Sequence, residues 1–208
     1  MATGTTPGVR RRGPRKGDRT SQAILDTAEK LLAERDLSSI TIDDLASGAG
    51  ISRSAFYFHF ESREAVLYLL ADRVLAELFA SAEVWTSRRG AEPADAVRRA
   101  IAGNLAIWRK HGAVLRAAVQ VRETDPVMEQ FWADVARRFI GATAQQIEAD
   151  RELGIALPGP PSAKQLAGAL VAMNDETFYH QSKARKSGDR EVVETLTAVW
   201  LRAVYGSR

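Results

Sequence analysis

The sequence contains no cysteine in its 208 residues. That removes disulfides, thiolate nucleophiles and thiolate metal sites together. No run approaches the roughly 18 consecutive apolar residues that a membrane-spanning helix needs. The basic N-terminal stretch MATGTTPGVRRRGPRKGD is not followed by an apolar segment, so it does not read as a secretory leader. These absences imply a cytoplasmic protein without a membrane partner.

Histidine is scarce as well, with only His59, His111 and His180. Nucleophilic catalysis without cysteine needs Ser or Lys beside a histidine base. His59 falls within a motif described below, and His111 falls at an expected helix break. Glu176 and His180 form an i, i+4 pair near Asp175, but no third ligand follows at a recognisable metal spacing. A solvent-facing ion pair is the simpler reading of those two. Phosphate-binding loops, GxSxG turns and dinucleotide glycine motifs are missing. The sequence therefore predicts no catalytic residue, no metal and no cofactor.

What is present is a globular composition, 45% hydrophobic and 26% charged, long enough to bury a sizeable core. The net charge is only +3, but it is unevenly placed. Residues 1–19 hold Arg10, Arg11, Arg12, Arg15, Lys16 and Arg19 against Asp18, an excess of +5 that leaves the remaining 189 residues at −2. A Gly- and Pro-containing basic arm attracts polyanions, or simply stays solvated; both readings stand on this stretch alone.

Helical periodicity begins near Asp18, a candidate N-cap, with Ile24, Leu25, Ala28, Leu31 and Leu32 on one stripe. In TIDDLASGAGISRSAFYFHF, Thr41 and Asp44 are spaced as a capping-box variant. A short helix with Ile42, Leu45 and Ala46 inward ends at Gly48-Ala49-Gly50. Ser52 then caps a second short helix running to about Phe58. Two short helices around a glycine turn predict a helix-turn-helix, with Ile51, Ala55, Phe56 and Phe60 inward. Thr41, Ser52, Arg53, Ser54, Tyr57, His59 and Arg63 are the candidate DNA contacts, joined by Arg10, Arg11, Arg12, Arg15 and Lys16 of the arm. Arg53 suits guanine O6 and N7, while Tyr57 and His59 suit phosphates. A generic helical hairpin with an aromatic plug is the competing reading.

Everything downstream reads as helix. Ala65, Val66, Leu69, Leu70, Val74 and Leu78 form one long stripe. Pro93 opens a helix carrying Val97, Ile101, Leu105 and Trp108. His111-Gly112 interrupts it before a shorter helix continues through Val114, Leu115, Ala118 and Val119. Asp125-Pro126 forms an N-cap and first-turn pair for the next helix. GIALPGPPSA is a loop. Two final helices carry Leu166, Leu170, Met173 and Phe178, then Val192, Leu196, Val199, Trp200 and Val204. The predicted fold is all-α, with about nine helices.

The run TIDDLASGAGISRSAFYFHFESREAVL resembles the DNA-binding signature of the TetR family of bacterial regulators. Ile42, Leu45, Ala46, Ala49, Gly50, Tyr57, Phe60 and Glu64 match its apolar, small, turn and phosphate-contact positions. Arg63 stands where the family usually has lysine, keeping the charge but changing its geometry. LVAMNDETFYH and TLTAVWLRAVYGSR extend the likeness to the EthR subgroup, most strongly over residues 41–67 and more weakly between about 85 and 160.

That resemblance implies a basic arm (1–18), a three-helix head (19–63) and a larger helical body (64–208). The body would bind a small, mostly apolar or amphipathic effector and form a homodimer through its last two helices. The head would hold double-stranded operator DNA, and repression would end when the effector binds. Ile101, Asn104, Trp108, Phe139, Thr143, Asn174, Phe178, Tyr179 and Trp200 are the candidate ligand contacts. Ordinary core packing is the alternative for each aromatic. Asn104 occupies a place where the subgroup would have a bulkier aromatic, so the effector's identity does not transfer. A regulator without a ligand, or an activator, remains open at this stage.

Overall fold

The computed structural model describes residues 16–87, 92–183 and 188–206, with side chains from Asp18 onward. Eight α-helices follow one another: α1 (Lys16–Glu34), α2 (Ile42–Gly48), α3 (Arg53–Phe56), α4 (Arg63–Thr86), α5 (Pro93–Val121), α6 (Pro126–Glu152), α7 (Ala163–Lys183) and α8 (Asp189–Tyr205). A single 3-10 turn covers Leu37–Ser39, and the described residues contain no strand. None of the helices is long and apolar enough to cross a membrane, within the described residues.

The chain divides into two compact units, Met1–Val66 and Leu67–Arg208. In the first, Ile24, Leu25, Ala28 and Leu32 bury one stripe of α1, joined by Leu45 and Ala46 of α2. Phe56 is completely buried. Removing such a ring from water is worth about 1.5–3 kcal/mol, enough to hold a four-residue helix that has little stability of its own.

Three expectations change here. α1 starts at Lys16, so Asp18 sits in its first turn instead of capping it, and residues 16–18 belong to the helix and not to an arm. Arg10, Arg11, Arg12 and Arg15 lie outside the described residues. α3 ends at Phe56, two residues early; Tyr57 to His59 continue as turns, with Phe58 N–H donating to Ala55 O (3.2 Å) and His59 N–H to Phe56 O (2.8 Å). The break foreseen at His111-Gly112 is a kink inside α5, where His111 has φ −112° and ψ 20°. Counting α5 as two segments recovers nine. Gly112 has a packing reason: a Cβ there would stand 3.3 Å from Ser182 Cβ and 2.7 Å from Arg116 Nη1, so its absence lets α7 come close.

In the second unit α6 packs chiefly on α7, and α5 on α8 and α7. The foreseen caps hold: Pro93 and Pro126 occupy first turns, and the Asp125 carboxylate accepts from Val127 N–H (2.8 Å) and Met128 N–H (3.1 Å). A polar chain then runs through the core. Trp85 Nε1 donates to Tyr205 Oη (3.1 Å), and Tyr205 Oη donates to Asp150 Oδ2 (2.7 Å). Gln146 Nε2 donates to the other carboxylate oxygen at 2.9 Å. Asp150 is only 2% exposed, and a buried carboxylate needs such partners. The chain fastens α4 and α8 to α6. Beside it, Leu157 N–H donates to Val204 O at 2.7 Å, closing the loop before α7 onto α8.

Candidate functional site

The helix-turn-helix is built by local chemistry. Thr41 caps α2 reciprocally: its hydroxyl accepts from Asp44 N–H (3.1 Å) while the Asp44 carboxylate accepts from Thr41 N–H (2.8 Å). Thr41 Oγ1 also donates to that carboxylate at 2.8 Å, and Arg35 approaches it to 3.0 Å. The Thr41 backbone bond first, then its hydroxyl, then Arg35 hold Asp44 below the usual carboxylate range. At the other end of α2, Gly50 takes φ +69°, a left-handed conformation that a side chain would strain. Gly50 N–H bonds Ser47 O and Ile51 N–H bonds Ala46 O, which is a Schellman closure. Ser52 caps α3, accepting from Ala55 N–H at 3.1 Å.

This fixes the surface of α3. Ser52, Arg53 and Ser54 are exposed, and Tyr57 is 48% exposed with its ring edge-on to buried Phe56. Ser52 and Ser54 hydroxyls share a hydrogen bond of 2.9 Å. Arg53 Nη1 donates to Asp43 Oδ2 at 2.7 Å, and this pair, with Tyr57 nearby, raises the guanidinium pKa further. Exposed pairs of this kind contribute little, so Arg53 can leave Asp43 easily. Thr41 is exposed with its hydroxyl proton already engaged. His59 is half-buried and bonded through Nδ1 to Ser21 Oγ at 3.0 Å, which ties it to α1.

Two residues differ from the sequence reading. Arg63 is only partly exposed, and its Nη1 faces the carbonyls of Leu37 (2.9 Å), Ser38 (3.0 Å) and Ile40 (3.0 Å), while Nε donates to Glu64 (2.8 Å). It staples the start of α4 to the turn before α2. The planar fork explains arginine here, since a single ammonium covers fewer acceptors. Phe58, which the sequence reading assigned no role, is 89% exposed and projects a bare phenyl ring beside Tyr57. The sequence reading turned Phe56 and Phe60 inward and Tyr57 outward, and only the turn after Phe56 shows that Phe58 is outside too.

The second unit holds a cavity walled by α4 to α8. Of the nine residues expected around a ligand, Ile101, Asn104, Trp108, Phe139, Thr143, Asn174, Phe178 and Trp200 line it. Tyr179 does not. One residue beyond Phe178 it is turned about 100° around α7. Its ring instead lies under Lys183 Nζ at 3.9 Å and edge-on to His180. Trp85, Trp132 and Asp175 were missed. Trp85 extends the α4 stripe Leu78–Ala82–Trp85 by one more helical step, a signal that was available. Glu176 Oε1 and His180 Nε2, beside Asp175 in sequence, lie 2.7 Å apart in an exposed i, i+4 hydrogen bond. The described residues contain no group of three or more metal-ligating side chains.

The rings are held in place. Trp85 meets Trp200 edge-on at 5.2 Å, and Phe139 stacks on Phe79 at 4.0 Å with Arg138 on that ring's other contact, also 4.0 Å. Trp200 Nε1 donates to Asn174 Oδ1 at 3.1 Å. Asn104 Oδ1 and Trp132 Nε1 are buried with no partner. Asp175 is an exposed residue that also lines the cavity, although many protein atoms surround its carboxyl. Burial pushes its pKa up to about 7, outweighing the opposite pull of Arg122. The cavity volume is about 60 Å³. The cleft is therefore narrow, suited to a slender or flat ligand.

Comparison with known proteins gives the same division. Residues 24–68 match the family model for bacterial regulatory proteins of the tetR family, and residues 97–206 match that for the transcriptional regulator EthR, C-terminal domain. The chain is 37% identical to the HTH-type transcriptional regulator EthR of Mycolicibacterium smegmatis over 204 residues, covering 97% of this chain and 94% of that protein. It is also 37% identical to EthR of Mycobacterium tuberculosis H37Rv over 213 residues, covering 96% and 94%. Among solved structures, NalD of Pseudomonas aeruginosa, the secondary repressor of the MexAB-OprM multidrug efflux pump, superposes with a TM-score of 0.74 at 19% identity, covering 93% of this chain and all of that one. The last likeness speaks to fold alone.

Proposed function

Since the chain belongs to the TetR family of DNA-binding transcriptional regulators and carries an EthR-type C-terminal domain, we propose that it is a repressor released from its operator by a small, mostly apolar effector. The observation that carries this reading is the cavity: a narrow aromatic cleft with unpaired buried polar atoms is what a ligand site needs and what a finished core avoids.

On this reading Ser52, Arg53, Ser54, Tyr57 and Phe58 meet DNA, with Thr41 and His59 at the margin and the basic arm along the backbone. Arg53 reads a base after leaving Asp43. Arg63 acts from inside the head. A homodimer joined through α7 and α8 presents two such faces to successive major grooves, about 34 Å apart. Val199 on α8, with 36% of its surface exposed, supports that face as the contact. The effector shifts the equilibrium only by its difference in affinity between the DNA-competent and DNA-incompetent states.

The test is a mobility shift on the DNA upstream of the protein's own gene, with a salt series and random-sequence competitor. Binding that survives competitor and is reversed by a compound that raises the melting temperature supports the proposal. Specific binding that no cavity ligand alters reduces the protein to a regulator without a small-molecule effector.

A further inference from the structure

The cavity wall is acidic where it is charged at all. Asp175 is the one ionisable side chain lining it; no described lysine, arginine or histidine does. On α7 it stands between buried Val171 and buried Phe178, four residues after one and three before the other, so it shares their face of the helix. Its carboxyl has no hydrogen bond or ion pair from any described residue, and Arg122 acts on it only at longer range. A second acceptor on the wall, Asn104 Oδ1, is buried and unpaired. Trp132 Nε1 is a fully buried donor on the same wall without a partner. The remaining lining is dominated by aromatic and aliphatic groups, and aromatic π-faces attract cations.

The geometry points to an effector that carries a protonated amine on a slender apolar or aromatic body, with its ammonium paired to the Asp175 carboxylate. This rests on the ligand-cavity reading above and narrows it to one charge class. An anionic ligand would bring a second negative charge beside Asp175 with no cation on the wall to receive it. A neutral ligand can at most donate a hydrogen bond to the carboxylate and leaves its charge without a countercharge. An ammonium brings the missing countercharge and up to three N–H donors for the Asp175 carboxylate and Asn104 Oδ1. The raised carboxyl pKa fits a group that still lacks its partner.

Three probes of nearly equal size decide the matter: phenylbutylamine, phenylbutanol and phenylbutanoate. Their binding to the full-length protein is measured by titration calorimetry at mildly alkaline pH, alongside Asp175→Asn and Asp175→Glu. A cooperative melting transition shows that each variant is folded. Wild type should bind the amine about tenfold more tightly than the alcohol, and the carboxylate most weakly. In Asp175→Asn the amine-to-alcohol ratio should fall to about one, and Asp175→Glu should keep a preference for the amine. Equal binding of amine and alcohol by wild type, or a preference that survives in Asp175→Asn, overturns this proposal and leaves the cavity reading standing. If none of the three binds, the cavity reading falls and the charge assignment falls with it.

Discussion

The indole N–H of Trp200 donates to the amide oxygen of Asn174 at 3.1 Å, joining α8 to α7 across the cavity wall. Asn174 is therefore occupied on its oxygen side before any ligand arrives, and its amide N–H groups are what remain to offer. Trp200→Phe keeps a ring, removes the donor and frees that oxygen. Stability should fall by about 1 kcal/mol, the net worth of one hydrogen bond, as read by denaturant unfolding. Affinity for cavity ligands should change several-fold, and operator affinity without ligand should hold. A dimer that dissociates instead would make Trp200 an interface residue.

The pH dependence of stability should reveal Asp175. Its carboxyl titrates near 3.8 unperturbed and at about 7 in the folded protein. Between those values the native state holds a proton that the unfolded chain has released, so stability falls as pH rises through the window and levels off above it. Unfolding midpoints measured from pH 4 to 8 should show a flatter profile for Asp175→Asn and a more stable variant above pH 7. Parallel profiles would mean that the carboxyl is fully solvated.

Arg63 separates a staple from a phosphate contact. Its side chain is 33% exposed, so Arg63→Ala should lower the stability of the head by about 1–2 kcal/mol, below the full range for charged hydrogen bonds. Arg63→Lys should recover only part of that. Unchanged melting together with weaker binding to all DNA would return Arg63 to the phosphate class.

On the exposed side of α3, Arg53→Ala should cost about 1–3 kcal/mol of operator affinity and relax the preference for operator over random DNA. Melting should hardly move, because the Asp43 pair is exposed. Phe58→Ala should likewise leave folding intact, the ring being 89% exposed, while weakening DNA binding. Loss of stability in either variant would place the side chain in the structure of the head.

Deleting residues 1–15 removes Arg10, Arg11, Arg12 and Arg15. If these meet phosphates, the slope of log affinity against log salt should become shallower by up to about four per protomer. An unaltered slope would make the arm a solvated tail.

The parts that were legible in the sequence are those whose chemistry is local. Thr41 with Asp44, the glycine at position 50, Ser52, and Asp125 with Pro126 each act within a few residues, so their spacing alone announces the helix ends they make. Periodicity turned Ile101, Trp108, Phe139, Phe178 and Trp200 inward, the family resemblance added Asn104, Thr143 and Asn174, and all of them line the same cavity wall. Periodicity fails where one residue step decides the outcome: Tyr179, beside Phe178, is turned out, and Phe58, beside Tyr57, is left bare. It is also silent on partners far apart in the chain. Trp85 and Tyr205 are separated by 120 positions, and Arg63 and Leu37 by 26, so neither bond leaves a pattern to read. Asp175 was noticed only as a neighbour of Glu176 and His180, because its meaning depends on which face of α7 is covered.

All four tryptophans of the chain, Trp85, Trp108, Trp132 and Trp200, stand on the cavity wall, and the DNA-binding head has none. The protein thus carries its own optical reporter. Intrinsic tryptophan emission comes entirely from the cavity lining, so a ligand that displaces water or quenches an indole will register directly, without a label. The head itself supplies no tryptophan to report on DNA contacts. An emission change on adding operator would therefore be a readout of the cavity responding to DNA, and linkage requires that the same coupling act in both directions.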